Sequence, residues 1–214
     1  MADEDINSLL QSAAHAACLA DVRRLLEDGA DLRASDSHGR TPLLLASAVG
    51  AEELITLLIA EGADVMHKDD RDFTALHHAC NRGHDAACRA LLDAGIEVNA
   101  SDFKGRTALH HSCIAPSRNG RSDEWMADRL ARQVLTARAL LDGGADVNAT
   151  DQSGWTPLFF VCKWLNDDLA LLLIERGADW NAVDADGESA RDVAQRLGNG
   201  HIVPAAKAAI VGSA

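Results

Sequence analysis

The sequence predicts an all-α solenoid of about six stacked helix–turn–helix units, and three observations predict it. Gly-Ala-Asp occurs at Gly29-Ala30-Asp31, Gly62-Ala63-Asp64, Gly144-Ala145-Asp146 and Gly177-Ala178-Asp179, with Gly95-Ile96-Glu97 as a diverged copy. The spacings are 33, 33, 49 and 33 residues. Thr41, Thr74, Thr107, Thr156 and Ser189, each followed by Pro-Leu, Ala-Leu or Ala-Arg, keep the same beat, including one 16-residue insertion. Finally, hydrophobic residues make up 47% of the chain but aromatics only 4%, with no Tyr. A core of Leu, Ala, Val and Ile suits closely packed helices with small residues between layers. A fixed period near 33 means units that bury their apolar faces only by stacking. The 214 residues then form one elongated domain.

The copies run at about 5–36, 37–69, 70–102, 103–151, 152–184 and 185–203, within a single domain spanning 1–214. The second shows how each is built. Thr41 is a helix N-cap, and Pro42 is tolerated in the first turn because its missing N–H is unpaired there anyway. Leu43 to Ala48 make a short apolar helix, which Gly50 ends in a left-handed conformation. Leu54, Ile55, Leu57, Leu58 and Ile59 give the second helix a wide apolar face, and Gly62 stops it. In the third copy Asp72 takes the glycine position of the turn before the first helix, so a distorted turn is expected there.

The insertion lies in the fourth copy, near 115–132. Pro116 to Arg121 is a loop by composition. Ser122-Asp123-Glu124 then reads as a helix start, with acids where the dipole favours them. Met126, Leu130, Val134 and Leu141 continue on one face. The expectation is a second helix lengthened to about residues 123–142, projecting past its neighbours with Trp125 near its tip. In the last copy Pro204 is expected to cut the second helix short, leaving a C-terminal cap.

At this point the chain resembles the ankyrin-repeat family. The resemblance rests on Gly39-Arg40-Thr41-Pro42-Leu43, on Thr74-Ala75-Leu76-His77 with Gly83-His84, on Gly105-Arg106-Thr107-Ala108-Leu109-His110, and on Gly144-Ala145-Asp146-Val147-Asn148-Ala149. It covers about residues 5–203 and implies a curved array with hairpin-like fingers on one side. Leu44 and Phe159 depart from it, standing where other copies place a helix-start His. The resemblance implies a structural role for His77 and His110, their rings bridging loop backbone groups.

His77-His78 with Cys80, and His110-His111 with Cys113, are zinc ligands by type, but they recur one repeat apart and read as structural. No metal and no cofactor are expected. Cys80, Cys113 and Cys162 share one repeat position, and helices in a stack lie about 8–10 Å apart. That exceeds the reach of about 7 Å between Cα atoms that a disulfide tolerates, so these cysteines read as small buried hydrophobes. Neither a nucleophile motif nor a phosphate loop after a strand is present, so the expectation is no enzyme. The net charge of −13 argues against nucleic acid and anionic membranes as partners of the whole chain. No apolar stretch approaches the roughly 20 residues of a membrane span, and the acidic Met1-to-Asp5 start lacks a signal-peptide pattern. A cytoplasmic monomer is expected.

The resemblance places binding residues on the fingers and the exposed ends of the first helices. There this sequence offers Arg40, Arg71, Phe73, Arg82, Phe103, Lys104, Arg106, Trp155, Lys163 and Trp164, a basic and aromatic face on an acidic protein. Trp and Arg dominate protein-binding hot spots, and cations on one face steer an acidic partner. The reading is a non-catalytic protein-interaction module, an adaptor or inhibitor, whose partner presents an acidic or apolar-accepting surface. Trp125 is a second candidate contact. The alternative is a nucleotide or oligonucleotide in the same groove, with phosphates on Lys and Arg and bases on Trp and Phe.

Overall fold

The computed structural model describes residues 5–114, 120, 122–164 and 166–198. Among them are eleven helices and no strand. Five first helices, α1 (Ile6–His15), α3 (Pro42–Val49), α5 (Ala75–Arg82), α7 (Ala108–Ser112) and α9 (Pro157–Trp164), are each followed by a second helix. The second helices are α2 (Leu19–Glu27), α4 (Glu52–Ala60), α6 (Asp85–Asp93), α8 (Asp123–Asp142) and α10 (Asp167–Glu175), and α11 (Ala190–Arg196) closes the series. The helices pack in two layers. α1, α3, α5, α7, α9 and α11 contact one another in succession, α4, α6, α8 and α10 do the same behind them, and each first helix packs on its own second helix. One apolar cluster runs from Leu10 to Ala194, including the fully buried Leu43, Leu58, Leu76, Leu91, Leu109, Leu140 and Leu158. Cys80, Cys88, Cys113 and Cys162 lie within it, none of them joined in a disulfide. Cys88 brings its sulfur within 3.1 Å of Cys80, a neighbour that repeat spacing does not reveal.

The Gly-Ala-Asp marker is a helix stop followed by a cross-link. Gly29 and Gly177 take φ of +93° and +91°, and the amides around them close a Schellman motif. Gly29 N donates to Leu26 O and Ala30 N to Leu25 O; Gly177 N and Ala178 N repeat this on Ile174 O and Leu173 O. The aspartate carboxylate then accepts the amide two residues on: Arg33 from Asp31, Met66 from Asp64, Asn148 from Asp146 and Asn181 from Asp179. Its own amide is held by an Asn side chain, that of Asn7 within the first unit for Asp31, and those of the preceding units, Asn99 and Asn148, for Asp146 and Asp179, each at 2.8 Å.

A second aspartate ladder, not singled out in the sequence, builds the fingers. Asp36, Asp69, Asp102, Asp151 and Asp184 each accept two finger amides on one carboxylate oxygen at 2.8–3.0 Å. Successive fingers are tied by one backbone bond each: Asp70 N to His38 O, Phe103 N to Arg71 O, Gln152 N to Lys104 O and Ala185 N to Ser153 O. The fingers are hairpin-like, with antiparallel bridges at Ser101–Thr107 and Val183–Ser189. The turn at Asp72 is not distorted. Asp72 takes φ +58° and donates to Asp69 O at 2.8 Å, as Gly105 does to Asp102 O at 2.9 Å. Asp is among the few side chains that tolerate the left-handed region.

The insertion changes both helices of its pair. α7 has only five residues and ends at Cys113 without a left-handed glycine, unlike α3 and α5, which end at Gly50 and Gly83. α8 has twenty residues where α6 and α10 have nine, an excess of about 16 Å at 1.5 Å per residue. Ser122 caps it by accepting Trp125 N at 3.2 Å. Its inward stripe is Met126, Gln133, Thr136, Ala137, Ala139 and Leu140. Leu130, Val134 and Leu141 lie only partly buried beside that stripe. Gln133 replaces the missing helix stop, its amide donating to Ile114 O at 2.6 Å. Arg129 reaches the neighbouring pair and donates to Asn81 O at the end of α5, where a cation suits the exposed carbonyls. The expected loop over Pro116–Arg121 lies outside the described residues except Gly120, and Pro204 lies outside them altogether.

Candidate functional site

The finger side of the first-helix layer is built from rings held in place by histidines and aspartates. In the third and fourth pairs, His77 and His110 use Nδ1 to accept the N-cap threonine: Thr74 N at 3.2 Å and its hydroxyl at 2.8 Å, Thr107 N at 3.1 Å and its hydroxyl at 3.0 Å. Each Nε2–H donates across to the next finger, on Arg106 O and Trp155 O respectively, both at 3.0 Å. Burial, with the neighbouring His111, pushes His77 down to about 4, so it is neutral at pH 7. The bridging role implied for these two rings is what the geometry shows. Where the His is absent its partner is orphaned: the buried hydroxyls of Thr41 and Thr156, facing Leu44 and Phe159, have no hydrogen-bond partner.

The adjacent histidines do a second job. His78 Nε2–H donates to Asp69 and His111 Nε2–H to Asp102, both at 2.9 Å. Burial alone raises Asp102, but His111 and the amides of Arg106 and Lys104 outweigh it and hold the carboxyl at about 2. With these nitrogens engaged in bonds within the fold, no group of three or more His, Cys, Asp or Glu among the described residues is arranged to hold a metal ion.

On this frame cations sit over aromatic rings, unit after unit. The Arg71 guanidinium is 4.4 Å from the Phe73 ring centre, Lys104 Nζ 5.3 Å from Phe103, Arg106 4.8 Å from Phe160, and Lys163 Nζ 4.7 Å from Trp155 and 5.8 Å from Trp164. Phe103 and Trp164 are each 48% exposed, which makes them the largest free apolar surfaces of the row. Arg71, Arg82, Lys104 and Lys163 are exposed. Arg40 is tied to Asp36 at 2.6 Å, and Arg106 to Asp151 of the next finger at 3.1 Å.

Two sequence candidates stand differently from the rest. Phe73 is only 5% exposed. Its ring packs between His77, His78 and His111 at 4.8–5.5 Å, so it carries Arg71 rather than a partner. Trp155 is half-buried, stacked on Phe159 at 6.0 Å, with its indole N–H donating to Asp184 at 3.0 Å. Trp125 stands half-buried in the first turn of α8. Arg82 has unexpected neighbours, since Arg129 and Arg132 of the inserted helix lie close enough to perturb one another electrostatically. Phe159 and Phe160 were also missed. The signal for Phe159 was its place in the His register, since an aromatic there extends the ring stack.

No helix among the described residues is long and apolar enough to cross a membrane. A family model described as ankyrin repeats (3 copies) matches residues 2–69 and 50–123, one described as ankyrin repeats (many copies) matches 140–194, and one described as ankyrin repeat matches 104–152. No curated protein matches the chain.

Proposed function

The chain belongs to the ankyrin-repeat family, whose repeats are generally protein–protein interaction modules, and from that premise we propose a non-catalytic role for it. In this reading it is a monomeric cytoplasmic adaptor or inhibitor that holds a partner protein against the finger side of units three to five. The observation that carries the proposal is the row of cations stacked on rings along that side. It sits on a chain whose net charge is −13. A basic, aromatic face on an acidic molecule favours an acidic partner by long-range steering and short-range pairing. Rigid aromatic surface at Phe103 and Trp164 gives it apolar anchors. Each stacked cation already covers one face of its ring, which favours carboxylates meeting the cations over nucleic-acid bases stacking on the rings.

The test is capture of partners from the native host by wild type and by the Phe103→Ala/Trp164→Ala variant, with thermal melts of both. Both side chains are half exposed, so the variant is expected to fold normally and to lose a protein that the wild type retains. A partner held equally by both proteins moves the interface away from this face, with the Trp125 end of α8 next to be tested. Nucleotide or oligonucleotide recovered in place of protein refutes the proposal.

A further inference from the structure

Between α9 and α11 the finger side carries a recess of about 290 Å³, the scale of one large side chain rather than of a drug-sized ligand. Phe159 and Val193 form its buried floor, and Trp155 closes one side. At the mouth stand Trp164 and Leu197, the latter 44% exposed. They occupy the same register position in successive units, 33 residues apart, eight residues after Thr156 and Ser189.

The polar groups around the recess are almost all committed. Arg196 is fixed to Glu188 by two bonds of 2.9 and 3.0 Å, and the Trp155 indole N–H is held by Asp184. Lys163 is different. Its ammonium rests over Trp155 and Trp164, and among the described residues no carboxylate pairs with it. The recess therefore combines an apolar floor, two exposed apolar side chains at its mouth and one cation without an anion.

We propose that this recess is the anchor subsite of the binding face, taking one large apolar side chain of the partner protein while an adjacent acidic residue of the partner pairs with Lys163. The inference rests on the protein-binding reading above and names the chemistry of its partner. An apolar side chain entering the recess covers Trp164 and Leu197 and removes their surface from water. A carboxylate beside it gives Lys163 a charge-assisted hydrogen bond without disturbing its contact with the indoles. The Glu188–Arg196 pair stays intact.

The probes are the capped dipeptides acetyl-Phe-Asp-amide, acetyl-Phe-Asn-amide and acetyl-Ala-Asp-amide, followed through the indole N–H resonances of Trp155 and Trp164. Acetyl-Phe-Asp-amide is expected to bind saturably with a Kd on the order of millimolar. The Asn peptide should bind about two- to fivefold more weakly, and the Ala peptide more than about tenfold more weakly. Lys163→Gln should erase the difference between Asp and Asn while keeping that between Phe and Ala. Leu197→Glu, at an exposed position, should abolish binding of all three with an unchanged melting curve, whereas Phe103→Ala should leave the dipeptides unaffected. Absence of saturable binding to wild type, or binding that survives Leu197→Glu, overturns the subsite. If the dipeptides fail while the Phe103→Ala/Trp164→Ala variant still loses a protein partner, the binding face stands and the subsite alone falls. If the dipeptides bind as described but that variant keeps every partner, the recess is not used by the partner and its anchor role falls with the wider face, since Trp164 stands at its mouth.

Discussion

Replacing Thr41 by Val should stabilise the protein, whereas the same change at Thr74, one repeat later, should destabilise it. Thr41 is 4% exposed and its hydroxyl has no partner. A buried, unpaired hydroxyl costs about 1–3 kcal/mol, and Val keeps its shape without the polar atom. No side-chain capping bond is lost, because Thr41 makes none. Removing the hydroxyl should therefore add about 1 kcal/mol. The Thr74 hydroxyl instead donates to His77 Nδ1 at 2.8 Å. Deleting it takes away a buried hydrogen bond worth about 1 kcal/mol, while Thr74 N continues to donate to the same nitrogen. The two variants should differ by about 2 kcal/mol in urea unfolding at pH 7.5, with equal m-values so that the shift in midpoint reports stability alone. At about 2–4 °C per kcal/mol for a protein of this size, their melting temperatures should stand about 4–8 °C apart. Thr156→Val should repeat the gain at the fifth unit and add to Thr41→Val, since the two sites share no partner. A Thr41→Val variant that loses as much stability as Thr74→Val refutes the reasoning, because the hydroxyl would then have a partner after all.

Stability should also fall with acid in a defined window. Burial holds His77 at about 4 against 6.5 when unfolded, so between those values only the unfolded chain binds the proton and stability is lost as pH falls from 6.5 toward 4. The full shift corresponds to roughly 3 kcal/mol, and His78, His84 and His110 are lowered in the same direction by burial. Asp102 works the opposite way in charge but the same way in stability, losing its contribution as pH falls from 3.8 through about 2. Urea midpoints that do not move between pH 7 and 4.5 contradict the buried neutral state. Asp72→Gly should raise stability by about 0.5–1 kcal/mol, because glycine occupies the left-handed region without a Cβ penalty. A loss on calorimetry means that the Asp72 side chain makes a contact worth more than the strain.

The repeat marks carried most of the fold, because the residues that end helices and close turns do so through their own backbone bonds. Gly29 and Gly177 stop helices wherever the chain places them, and Asp31 closes its turn onto Arg33 two residues away. Ser122 likewise announced the start of α8 by capping it. The face of α8 was less legible: Gln133 is buried because α7 ends early and leaves Ile114 O without a helical partner, a fact about another helix. The binding row shows the same division. Its residue types and register were visible from the chain, which sufficed to mark Phe103, Lys104, Lys163 and Trp164. That Phe73 is buried among three histidines depends on His111 from the following unit. Sequence alone determined the period, the helices and the turns, since each is set by bonds spanning fewer than about seven residues. Tertiary structure decided which finger each histidine ring reaches, which ring is covered and where the recess opens. The bonds that join neighbouring units there, mostly from a side chain to the next finger's backbone, span 29 to 49 residues of chain.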